Sequence, residues 1–124
     1  HPVDCDDAGM IDPILEYNNC NVTEDCKGIS ITGGYVYRGS EAAWDGKYFF
    51  GDWSKQFPVK DGQLYVATKN GSNWTMEDVT ITNMENFNAY VLAFGQDADG
   101  EVYVMATDTT GPVGGLDRIY KIVP

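Results

Sequence analysis

The sequence predicts an all-β chain built of antiparallel four-stranded sheets, arranged as about two blades of a β-propeller. Three observations predict it: an internal repeat of blade length, a succession of short aromatic and β-branched runs separated by turn residues, and the lack of any segment with helical periodicity. The repeat is Asp61-Gly62-Gln63-Leu64-Tyr65-Val66-Ala67-Thr68, which returns as Asp99-Gly100-Glu101-Val102-Tyr103-Val104-Met105-Ala106-Thr107 at an offset of 38 residues. A period near 40 with several short strands per unit marks propeller blades, whereas helical solenoids need apolar residues at i, i+3 and i+4.

Eight strands are predicted, in order Ile11–Tyr17, Ile29–Tyr37, Lys47–Trp53, Gln63–Lys69, Trp74–Ile81, Ala89–Gly95, Glu101–Thr107 and Leu116–Val123. The Asp-Gly pairs at 61–62 and 99–100 are read as equivalent hairpin turns, so that Tyr65 and Tyr103 should superpose. The chain divides into residues 1–28, a Cys-containing loop with a strand leading in from a preceding blade, and residues 29–124, two C-terminal blades. Two blades form an open arc with apolar faces and unpaired edges, so this arc is expected to lie against other blades of a longer parent or against further copies of itself. The opening His1-Pro2-Val3-Asp4 reads as the start of a mature or clipped product.

Composition sets limits on function. Eight Lys and Arg against 19 Asp and Glu give a net charge of −11, which opposes nucleic-acid phosphates and anionic membrane surfaces. No apolar run approaches the roughly 20 residues that a membrane-spanning helix needs. Cys5, Cys20 and Cys26 lie in no zinc-like or haem-like array, and Cys20 with Cys26 encloses a short polar loop suited to a local disulfide. Cys5 then pairs outside the chain or remains a free thiol. Sequons at Asn21, Asn70 and Asn73 agree with an exported, extracellular protein.

From Ser30 onward the sequence resembles the glucose/sorbosone dehydrogenase family of quinone-dependent sugar dehydrogenases. The resemblance rests on Ile31-Thr32-Gly33-Gly34-Tyr35-Val36-Tyr37-Arg38-Gly39, Tyr48-Phe49-Phe50-Gly51-Asp52-Trp53-Ser54 and Phe94-Gly95-Gln96-Asp97-Ala98-Asp99-Gly100-Glu101-Val102-Tyr103-Val104, with Asp12-Pro13-Ile14-Leu15-Glu16-Tyr17 before them. It implies a six-bladed propeller and, in the intact parent, oxidation of an aldose with pyrroloquinoline quinone near the propeller axis. It also places Thr32 on an innermost strand beside the channel; Arg38, at that strand's end, could pair with an anionic cofactor group through its planar guanidinium. The isolated chain is expected to be inactive, since its only histidine is His1 and the family's base is a histidine of an earlier blade. Quinone-binding members carry two arginines just before the last Asp-Gly turn, and this chain has Ala89-Tyr90-Val91-Leu92-Ala93 there. That difference motivates the alternative, a non-catalytic extracellular propeller that binds a carbohydrate or protein.

Several residues carry two readings. Arg38 can meet a cofactor anion or pair with Glu41 or Asp45. Asp97, Asp99 and Glu101 have the carboxylate density that calcium uses, and the same residues suit a tight turn. Trp44, Trp53, Trp74, Tyr48, Phe49 and Phe50 can stack on a small sugar or fill blade cores; Phe49 and Phe50 must point to opposite sheet faces, and Trp74 is expected to be partly exposed.

Overall fold

The computed structural model describes residues 9–82, 87–111 and 114–124. His1 and Cys5 lie outside the described residues. Seven strands form two antiparallel sheets: β1 (Ile31–Val36), β2 (Tyr48–Asp52), β3 (Gln63–Asn70) and β4 (Asn73–Asp78) in one, and β5 (Tyr90–Gln96), β6 (Val102–Thr107) and β7 (Arg118–Lys121) in the other. Each sheet is a meander in chain order. Among the described residues the only helical element is a single 3-10 turn, Ala42–Trp44. No described helix is long and apolar enough to cross a membrane.

Strand alternation divides the first sheet into two faces. Phe49 and Leu64 turn toward the second sheet and join Tyr37, Val91, Phe94, Val102 and Val104 in the main core. Phe50, Tyr65 and Ala67 turn the other way, where Leu15, Tyr17, Tyr48, Trp74 and Met76 pack on them. Neighbouring aromatics in a strand therefore serve different layers, as their alternation requires. The two sheets are stitched where β1 meets β5: Thr32 Oγ1 donates to the Val91 carbonyl at 3.3 Å and Gln96 Nε2 to the Val36 carbonyl at 2.9 Å. Arg38 N adds a bond to the Gly100 carbonyl at 3.2 Å. Trp53 stacks on Tyr90 with ring centroids 4.5 Å apart, closing the seam at the next connection.

Asp52 organises the other side of the first sheet. Its side chain is fully buried and accepts from the amides of Ile29 at 2.9 Å, Ser30 at 2.9 Å and Ser54 at 3.2 Å, and from the Tyr17 hydroxyl at 2.8 Å. Burial, reinforced by Asp52, pushes the Tyr17 phenol far above its ordinary range, so it remains a donor. Cys20 and Cys26 form a disulfide with Cα atoms 5.0 Å apart, closing the loop that delivers Ile29 and Ser30 to Asp52.

Three expectations from the sequence need correction. The first is Ile11–Tyr17, which forms no strand. Pro13 removes an amide from that run, and the segment is held instead by the Leu15 and Tyr17 side chains, leaving Met10, Ile11 and Ile14 exposed. The second concerns the repeat, whose two copies occupy different places. Gln63–Asn70 is third from β1, whereas Val102–Thr107 is second from β5. In the observed register Gln63, Leu64 and Tyr65 face Asp52, Gly51 and Phe50, as Arg118, Ile119 and Tyr120 face Ala106, Met105 and Val104. Tyr65 thus lies on the third strand of its sheet and Tyr103 on the second of its own, so the two do not hold equivalent places. Asp61-Gly62 closes a ten-residue connection, residues 53–62, instead of a tight hairpin, and the Gly62 amide bonds to the Ala89 carbonyl at 2.8 Å. Apolar alternation specifies a pleated strand and one buried face, and both the second and third strands of a blade meet that description. The second sheet also holds three strands, not four, among the described residues.

Replacing Asp52 with Ala should lower stability by about 3 kcal/mol or more, because several buried donors lose their acceptor together. Asp52→Asn, which keeps one acceptor oxygen and the volume, should cost less. Urea unfolding of both variants checks the order, and equal midpoints for D52A and the parent sequence would contradict the assigned role.

Candidate functional site

Of the residues singled out in the sequence, Arg38, Asp45 and Trp74 come together at one end of the first sheet. There the chain leaves β1 through Val36 and Arg38, turns back along Ala43, Asp45, Gly46 and Lys47, and meets the far ends of β3 and β4 at Thr68, Lys69 and Trp74. Together they line an open groove of about 650 Å³. The β3–β4 register sets Lys69 opposite Trp74, with the ammonium 6.0 Å from the ring centroid. Trp74 is half-buried, one side packed on the Phe50 and Tyr65 layer. Arg38 Nη1 meets Asp45 Oδ1 at 3.0 Å on a pair of largely exposed side chains, one of the two readings the sequence allows.

Thr32 does not line this groove; its hydroxyl faces β5. Within Thr32-Gly33-Gly34 the close approach falls at Gly34, where a β-carbon would run into the Phe49 carbonyl of the adjacent strand. The glycine therefore admits a neighbouring strand. Trp44 packs edge-on to Tyr37 with centroids 5.5 Å apart and belongs to the core layer. Asn21, Asn70 and Asn73 are all exposed, the last two flanking the β3–β4 turn.

At Asp97–Glu101 the carboxylates point apart. Asp97 Oδ1 accepts the amides of Asp99 and Glu101 at 3.0 Å each, its Oδ2 accepts the Tyr103 hydroxyl at 2.8 Å, and Gly100 completes the turn at φ 82°. The Tyr103 bond is the main cause of a lowered Asp97 pKa and of a raised Tyr103 pKa. Among the described residues no three His, Cys, Asp or Glu side chains are grouped to hold a metal ion. Glu101 crosses to the other sheet, where Ser40 Oγ donates at 2.6 Å, the Ser40 amide at 2.9 Å and the Tyr37 hydroxyl at 2.8 Å. Lys121 Nζ stands 3.8 Å away. The Ser40 bonds, then Tyr37, hold its carboxyl down from 4.5 to about 2. This buried tie fixes the loop that carries Arg38 and Asp45. Sequence reasoning assigned Glu101 to a turn or a calcium site, because nothing in a local string shows that its acceptors are filled by residues some 60 positions earlier.

Comparison with known proteins gives a partial match. The chain is 31% identical over 99 residues to Hedgehog-interacting protein of Mus musculus and, equally, of Homo sapiens. The alignment takes in 75% of this chain and 13% of each relative, so the chain spans about an eighth of the proteins it matches. No family model matches the chain. No solved structure matches it either. What the fold and the match define together is a partial, all-β propeller-like chain with one disulfide, similar to a short stretch of a protein named for an interaction.

The Glu101 network makes acid stability predictable in sign. A carboxyl whose folded pKa lies below its unfolded one stabilises above the unfolded value, and that contribution is lost as pH falls from about 4.5 toward 2. Stability of the chain should drop through this window, and the corresponding part of the drop should be absent in Glu101→Gln. Thermal midpoints between pH 6 and pH 2 test it; identical pH profiles for the two proteins would refute it.

Proposed function

We propose that this chain is part of a non-catalytic, extracellular propeller-type module that binds a protein partner. The observation that carries this reading is the 31% identity over 99 residues to Hedgehog-interacting protein, whose name states a protein interaction. The disulfide and three exposed sequons support an exported protein.

The distribution of exposed apolar groups supports a binding role. On the second sheet Ala93, Met105 and Ile119 stand side by side on the face turned away from the core, and Ile119 is 69% exposed. The whole of β7 is exposed at the sheet edge. Further blades of a longer parent are the expected cover for that face, and a propeller completed in this way presents loops from several blades to a partner.

The competing reading is the quinone-dependent oxidation of an aldose that the sugar dehydrogenase resemblance implies. Both are tested on the parent protein secreted from mammalian cells. Saturable binding to an immobilised Hedgehog ligand, without dye reduction when aldoses, pyrroloquinoline quinone and calcium are supplied, is the expected result. Sugar-dependent dye reduction would overturn the non-catalytic assignment. The same material should shift in mass on treatment with a peptide-N-glycosidase, and Asn21→Gln, Asn70→Gln and Asn73→Gln together should reduce the shift; an unchanged shift in the triple variant would remove these sequons as support for export.

A further inference from the structure

We infer that the groove at the end of the first sheet is a site for an anionic carbohydrate, a sugar unit carrying sulfate or carboxylate. The argument is independent of the protein-binding role. The chain has 8 Lys and Arg among 19 Asp and Glu, yet Arg38, Lys47 and Lys69 all line this groove, against the single carboxylate of Asp45. Positive charge is gathered here on a surface that is otherwise strongly negative.

Two of the three cations make no ion pair among the described residues. Among the described residues, ion pairs join Lys27 to Asp78, Arg38 to Asp45 and Lys121 to Glu101, and none involves Lys47 or Lys69. Arg38 gives one terminal nitrogen to Asp45, and its side chain remains 60% exposed, so further donors of the guanidinium stay open to solvent at a residue that lines the groove. These groups recognise an anion.

Trp74 adds a preference for what carries the anion. Its ring is held by packing on the Phe50 and Tyr65 layer, and the Lys69 ammonium lies over it at 6.0 Å, a distance that leaves the exposed side chain of Lys69 to swing toward an anion and open the ring to a ligand. A pyranose offers an apolar C–H face to such a ring while its substituents reach the surrounding polar groups. A volume of about 650 Å³ lies within the range of small-ligand sites. The net charge of −11 does not defeat this at physiological salt, where the screening length is about 8 Å and charges across the molecule are largely masked. The groove's own cations then set the local potential.

The test is a titration of the 124-residue chain with a sulfated heparin-derived disaccharide, followed by amide and indole NMR shifts. Its arms are the desulfated disaccharide, inorganic sulfate and adenosine monophosphate. Saturable shifts centred on Arg38, Lys47, Lys69 and Trp74 are expected, with at least tenfold weaker binding for every other arm. Lys47→Gln with Lys69→Gln should weaken the sulfated disaccharide at least tenfold, whereas Lys60→Gln, away from the groove, should leave it unchanged. Trp74→Phe, with its thermal midpoint checked, should weaken the disaccharide but not inorganic sulfate. Equal binding of inorganic sulfate or of adenosine monophosphate would overturn the carbohydrate assignment, and shifts that ignore the lysine substitutions, or no shifts at all, would overturn the site.

Discussion

One buried carboxylate sets the geometry of the first sheet. Asp52 ends β2 with no exposure to solvent, and its oxygens gather backbone amides from both sides of the β1–β2–β3 connection together with a phenol from the segment before β1. An unpaired carboxylate in that position would be strongly destabilising, so the surrounding loops are constrained to bring donors to it. The Cys20–Cys26 bridge shortens the search for two of them by closing the loop just upstream. With Tyr17 pinned, Leu15 and Tyr17 cover the aromatic layer of Phe50 and Tyr65, and the same layer holds one side of Trp74. The wall of the proposed carbohydrate groove therefore inherits its position from a residue at the opposite end of the strand.

A second buried carboxylate joins the two sheets. Glu101 takes three hydrogen bonds from Tyr37 and Ser40, and it thereby fixes the connection that presents Arg38, Asp45 and Lys47. Both acids are the sort of buried polar group that is tolerable only when fully satisfied, and the described residues contain no buried side-chain nitrogen or oxygen without a partner. Apolar packing supplies the contact between sheets, while these acids select one relative placement of loops.

The strands were legible because their signal is local. Tyr48–Asp52, Gln63–Asn70 and Val102–Thr107 carry aromatic or β-branched side chains with turn residues between them, and the expected boundaries agree with the structure to within a residue or two. Phe49 and Phe50 divide between faces because alternation leaves no other choice, and Cys20 and Cys26 pair because they are close along the chain. What stayed hidden depends on distant partners. Place within a sheet is not written in a strand, so Leu64-Tyr65 and Val102-Tyr103 match in sequence but lie on the third strand of one sheet and the second of the other. The roles of Asp52 and Glu101 belong to the same class. The groove was half legible: Arg38 and Trp74 stood out singly, but only the meander brings Lys47 and Lys69 beside them.

The two outer faces of the arc are not equivalent, and that asymmetry bears on how it functions. On the first sheet the face away from the core is roofed by the chain's own Leu15–Tyr17 segment, leaving Phe50 and Tyr65 almost inaccessible. On the second sheet no described segment does the same for Met105 and Ile119, and the edge strand β7 keeps Ile119 and Tyr120 open to water. Burial is worth about 25 cal/mol per Å² of apolar surface, so a further sheet laid on this second face gains far more than one laid on the first. Addition at β7 would also satisfy edge groups that the first sheet's outer strand, flanked by the Asn70 and Asn73 sequons, would keep free only if those asparagines carry glycans. The exposed apolar groups of the described residues on these two faces thus concentrate at β7, while the groove lined by Arg38, Lys47 and Lys69 lies at the rim of the first sheet.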